Sequence, residues 1–116
     1  MPPKPNRTFP DPTVTDPDKY RVIFENGRVR VYDYSDNPGD KTKMHHHNDF
    51  VLYAFGPFKR KLVLSDGRTI IREFAGGEIL WSEEQSHIGE NIGQTKTHVL
   101  IVELKGKTAH KKSVLK

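Results

Sequence analysis

The sequence contains no cysteine among its 116 residues. That absence excludes a disulfide framework, a thiolate metal site and a cysteine nucleophile, so any bound metal has to sit on nitrogen and oxygen donors. Apolar residues are scarce at 34%, and no run of them approaches the ~20 residues of a membrane-spanning helix. The first ten residues lack the apolar stretch of a secretory signal, and the expectation is a cytoplasmic protein without membrane contact. A helical stripe is missing as well, because Gly76-Gly77 and Gly93 interrupt the segments that come nearest to one. The length suits one domain around one core.

Negative charge is missing from one end of the chain. Residues 105–116 carry Lys105, Lys107, Lys111, Lys112 and Lys116 and no acid, so of the +4 overall the other 104 residues sum to −1. The sequence pI of ≈ 9.4 is therefore a property of a basic tail that reads as a solvated C-terminus, and nucleic acid is not an expected partner. Weak attraction to polyanions is the functional alternative for that tail. Proline is just as unevenly spread. Six of the eight prolines fall in residues 1–18, which predicts an extended N-terminal arm over residues 1–19, lying along the body of the domain or along a partner subunit.

Between these ends, residues 20–104 read as short β-type runs separated by turn residues. The runs cover 20–25, 28–34, 41–47, 50–55, 58–64, 68–74, 78–82, 87–92 and 97–104. Asn26-Gly27 and Ser65-Asp66-Gly67 mark hairpins, and about nine strands at this spacing predict an all-β sandwich or barrel.

The chemistry concentrates in His45-His46-His47. Alternate side chains of a strand share a face, so His45 and His47 point together and Met44 and His46 point the other way. Two imidazoles on one face chelate, and a third from another strand would complete a facial set with open positions. His87, which follows a Gly-rich turn and a short apolar strand, is the candidate for that third donor. His46 and His110 read as exposed.

These two segments resemble the paired motifs of the cupin superfamily. The first motif places a Gly, five residues, then His-x-His, which Gly39, His45 and His47 match. The second places a Gly before Pro-x-Gly, two residues, His, three residues and Asn. Gly76, His87 and Asn91 stand at its Gly, His and Asn positions, while Ser82 and Glu84 replace Pro and Gly. The first motif's Glu ligand, after three or four intervening residues, is replaced by Val51 or Leu52. The resemblance spans residues 20–104 and implies a cupin-type β-barrel, that is, a double-stranded β-helix or jelly roll. It also implies a divalent transition metal (Fe, Mn, Ni or Zn) on His45, His47 and His87, and a homodimer.

Carrying the parity of His45 and His47 into the next strand places Val51, Tyr53 and Phe55 inward, with Tyr53 as a polar and candidate catalytic group. Burying Leu62 and Leu64 carries Arg60 to the same face, where it would pair with a substrate carboxylate. Glu83, with Glu84 beside it, is the candidate acid or base near His87. His98 shares parity with Leu100, Val102 and Leu104, which read as core, and Trp81 reads as a core or interface anchor. Together these expectations describe a metal-dependent enzyme acting on a small organic substrate. A dioxygenase comes first among its reactions, a lyase, isomerase or hydrolase follows, and a non-enzymatic small-molecule or metal binder is the alternative.

Overall fold

The computed structural model describes residues 9–106. The strands are β1 (Tyr20–Glu25), β2 (Val29–Asp36), β3 (His45–His47), β4 (Phe50–Ala54), β5 (Phe58–Leu64), β6 (Thr69–Phe74), β7 (Ile79–Ser82), β8 (Gln85–Asn91) and β9 (Thr97–Leu104). They form an antiparallel five-stranded sheet in the order β1-β2-β9-β4-β7 and a four-stranded sheet in the order β3-β8-β5-β6. This is the all-β double-stranded β-helix that the cupin resemblance implies. Tyr32, Tyr34, Phe50, Ala54, Phe58, Val99 and Ile101 are buried in its core.

Local chemistry explains the turns. At Ser65-Asp66-Gly67 the chain needs a left-handed residue, which Gly67 supplies at φ 92°, and Asp66 Oδ1 accepts from Arg68 N at 3.0 Å. The first hairpin works differently from a plain Asn-Gly turn. Asn26 N donates to Val29 O, and the Asn26 Oδ1 accepts from the Arg28 and Val29 amides at 2.7 and 2.9 Å. Gly27-Arg28 are thus the central residues, and Gly27 is not among the glycines with positive φ.

The N-terminal segment departs from fully extended chain at α1 (Pro12–Thr15), a single helical turn. Asp11 caps it by accepting from Thr13 N at 3.0 Å, and Pro12 occupies a first-turn position whose amide would have no helical partner. Asp11 also takes Arg30 Nη2 at 3.0 Å, which fastens the segment to β2 of the same chain. Pro10 O accepts from His46 N at 2.9 Å and so covers the free edge of β3. Residues 1–8 and 107–116, with His110 and most of the lysine tail, lie outside the described residues. No helix among the described residues is long and apolar enough to cross a membrane.

Two parity expectations are overturned. Inward positions on β4 are Phe50, Leu52 and Ala54, whereas Tyr53 and Phe55 are 37% and 48% exposed. The reason is that β3 belongs to the small sheet and β4 to the large one, so the crossing at Asn48-Asp49 resets the alternation. On β9 the buried set is Thr97, Val99, Ile101 and Glu103, and His98, Leu100, Val102 and Leu104 face outward. Both faces of that strand are rich in apolar residues, and the inner one also carries a Thr and a Glu whose partners lie inside the barrel.

Candidate metal centre

Strands β3 and β8 are neighbours, and their register sets His45 directly opposite His87, with His47 two residues along on the same face. All three are buried. One ligating nitrogen from each lies within 4.8 Å of the other two. The ring centroids are 4.8 Å apart for His45 and His47, 4.9 Å for His45 and His87, and 5.2 Å for His47 and His87.

Each ring is held through its Nδ1 by an oxygen acceptor. His45 Nδ1 donates to Lys43 O at 2.8 Å, His47 Nδ1 to Glu103 Oε1 at 3.4 Å, and His87 Nδ1 to Gln85 Oε1 at 2.6 Å. A backbone carbonyl, a carboxylate and an amide oxygen all accept, which fixes the proton on Nδ1 and leaves the Nε2 lone pair to ligate. Burial, with His47 adding its share, pushes His45 down to about 4. His87 is pushed well below the ordinary imidazole value, first by burial and then by His47 and His45. Both are therefore neutral at pH 7, the form in which imidazole binds a metal. The three buried histidines are consistent with a metal site, and neutral imidazoles suit a divalent transition ion.

The histidines open onto a cavity of about 240 Å³ between the sheets. Its wall is mainly apolar, with Phe50, Leu52, Phe58, Leu62, Phe74 and Leu80, and its charged lining residues are Arg60 and Arg72, with no Asp or Glu among the described lining. Arg60 does reach the inside. Its Nη1 donates to Asp36 Oδ2 at 2.8 Å and to Thr97 Oγ1 at 3.2 Å, and its Nη2 donates to Tyr34 Oη at 3.1 Å. Burial by itself would lower the Arg60 pKa, but facing Tyr34 and Asp36 raise it, so the charge is retained. Space for the guanidinium comes from Gly89 on β8, where a Cβ would stand 2.8 Å from Arg60 Nη2.

The other sequence candidates fall elsewhere. Tyr53 lies on the outer face of β4, where its ring packs edge-on to Phe55. Glu83 is exposed in the β7–β8 connection and does not line the cavity. Glu84 faces His46, the histidine of the run that points away from the cluster, at 3.5 Å. The second-motif turn, lacking Pro and Gly, is closed by Glu84 N donating to Asp49 Oδ1 and by Gln85 Nε2 donating to Ser82 Oγ, each at 2.9 Å. His98 bonds Asp33 on the outer face of the large sheet, and Trp81 sits half exposed on edge strand β7 at the cavity rim.

Sequence reasoning missed Glu103, Gln85 and Tyr20. Glu103 had a signal, a lone acid in the apolar run from Val99, and Gln85 stands two residues before His87 on the same strand face. Tyr20 had none, since nothing in its neighbourhood marks it as inward.

No family model and no curated protein matches the chain, but solved structures do. A cupin domain from Bordetella pertussis Tohama I superposes with a TM-score of 0.69 at 21% identity, covering 87% of this chain and 100% of that one. An RmlC-like cupin with a double-stranded β-helix fold from Methanocaldococcus jannaschii gives 0.59 at 14% identity, covering 73% and 77%. The polyketide cyclase RemF from Streptomyces resistomycificus gives 0.56 at 21% identity, covering 77% and 66%. With two antiparallel sheets wound as a double-stranded β-helix and a buried three-histidine cluster on β3 and β8, the chain has the fold of small cupin domains.

Proposed function

We propose that the protein is a metal-dependent enzyme whose divalent ion sits on Nε2 of His45, His47 and His87 and whose substrate is small, largely apolar and bears an anionic or carbonyl oxygen. The observation that carries this reading is the tethering of all three rings through Nδ1, which leaves three neutral Nε2 donors grouped at the wall of an apolar cavity. An ion held by neutral donors polarises a substrate oxygen as a Lewis acid or, when redox-active, brings oxygen and substrate together. Arg60, paired with Asp36, and Arg72, paired with Glu78, place guanidinium donors on the cavity wall that suit an oxygen-bearing substrate. Tyr53 and Glu83, outside the cavity, take no catalytic part in this reading.

A dioxygenase is the first reaction class. The second is a non-oxidative Lewis-acid reaction, an elimination, isomerisation, hydrolysis or cyclisation, favoured by the aromatic lining and by the fold shared with a polyketide cyclase. Anaerobic loading with Fe(II), followed by oxygen-uptake assays with thiols, β-diketones and catechols, separates them. Uptake that disappears in His87→Ala supports the dioxygenase. Turnover with Zn(II) and no uptake selects the second class, and stoichiometric metal without turnover of any substrate leaves a binding protein.

The homodimer is placed by this proposal on the outer face of the large sheet. There the register lines up Phe24, Val31, Val102, Val51 and Trp81 in one row across all five strands.

A further inference from the structure

Tyr20 enters the barrel from the first residue of β1 and brings its hydroxyl to 3.3 Å from His45 Nε2 and 3.4 Å from His47 Nε2. These are the same two atoms that the metal reading assigns to the ion. The hydroxyl is buried, has no other hydrogen-bond partner among the described residues, and its ring is wedged against Tyr34 at 4.5 Å and Tyr32 at 5.5 Å. We propose that Tyr20 supplies the fourth protein donor of the metal centre, its phenol oxygen binding the ion beside the three imidazoles.

The inference rests on the metal reading above and adds to it a donor outside both motifs. Two arguments carry it. The first is geometric: metal–nitrogen and metal–oxygen bonds of about 2.0–2.1 Å at the tetrahedral angle put nitrogen and oxygen about 3.3–3.4 Å apart. Tyr20 Oη already stands at that separation from both Nε2 atoms. The second concerns satisfaction of hydrogen bonds. Once an ion takes both Nε2 lone pairs, Tyr20 loses its only two partners, and a buried hydroxyl left without one costs about 1–3 kcal/mol. Binding the ion removes that cost, with the O–H bond breaking as the oxygen–metal bond forms and the proton leaving to solvent. The first motif supplies no carboxylate here, because Val51 or Leu52 stands at its place.

Copper(II) is the probe, because it binds nitrogen and oxygen donors tightly and a coordinated phenolate gives it a visible charge-transfer band that imidazole alone does not. The full chain with one equivalent of copper(II) is expected to show that band and the resonance Raman modes of a bound phenolate. Tyr20→Phe is expected to lose both while still binding copper on its histidines, more weakly by about 10-fold or more. Of the four tyrosines, Tyr32, Tyr34 and Tyr53 are each replaced by Phe as well, and the band is expected to survive all three changes. That pattern identifies Tyr20 even where Tyr20→Phe folds poorly. Copper binding that depends on His45 and His87 but shows no phenolate band overturns this inference alone. Copper binding indifferent to His45→Ala and His87→Ala overturns the metal reading with it.

Discussion

The two sheets divide the work of the site. The small sheet carries all three imidazoles on adjacent strands β3 and β8. From the large sheet come Glu103 behind His47, Tyr20 between His45 and His47, and Tyr34, Asp36 and Thr97 around Arg60, while Lys43 O and Gln85 hold His45 and His87 from beside β3 and on β8. The imidazoles thus sit where antiparallel register fixes their spacing, and the opposing layer adds the carboxylate behind His47 and the phenol beside His45 and His47. The lesson is that losing a donor and losing a holder should differ in size.

The largest effect is expected from the donors. His87→Ala should lower affinity for Zn(II) by more than about 100-fold in calorimetric titration, because only two of the three imidazoles remain. If Glu103→Gln on the large sheet cost as much, the division between the sheets would fail.

Acid provides the next test, applied to metal-free protein. Burial holds His45 at about 4 in the folded state against 6.5 in the unfolded chain, so the unfolded state binds more protons between these values. Stability is complete above about pH 6.5 and falls as the pH drops toward 4, with His45 contributing about 3 kcal/mol. His87 acts in the same direction. Thermal melts at pH 8, 6 and 4 should show a Tm that falls stepwise, and a flat profile would mean that these rings are hydrated in the metal-free protein.

Gly89→Ala probes where the sheets meet. Its Cβ would stand 2.8 Å from a guanidinium that Asp36 holds in place, so either β8 or Arg60 must move. A loss of about 1–3 kcal/mol in denaturant unfolding is expected. Glu103→Gln keeps an oxygen for His47 Nδ1 but removes the charge, and should weaken Zn(II) binding by about 10-fold.

The smallest change in fold stability is expected on the outer face of the large sheet. Ile79→Lys replaces an exposed side chain on edge strand β7 and should leave monomer stability within about 0.5 kcal/mol. Light scattering is expected to show a shift from dimer to monomer; an unchanged mass would remove the proposed pairing face.

Much of the fold and part of the site were legible before any coordinates. His45 and His47 share a face because a strand alternates, and Ser65-Asp66-Gly67 announces a turn because Gly tolerates the left-handed φ that the structure shows at Gly67. Alternation could not be carried from β3 into β4, however, since Asn48-Asp49 lead from one sheet to the other and the inward phase restarts at Phe50. On β9 the same rule misled for another reason. Thr97 and Glu103 look like solvent-facing residues by polarity, and their partners distant in sequence, Arg60 for Thr97 and His47 with the Asn48 amide for Glu103, make burying them tolerable.

By itself, then, the sequence determined the local terms: strands from β-branched and aromatic runs, turns from Gly, Asn and Asp, and two chelating histidines from their spacing. Tertiary structure decided everything that depends on a second layer. It set His87 opposite His45, gave Glu103 to His47, turned Tyr53 outward and brought the Tyr20 hydroxyl to the histidines. The physical reason is range. Backbone periodicity acts over a few residues, whereas the inner surface of the barrel is defined by pairings between strands up to 75 residues apart, such as Val29 with Leu104.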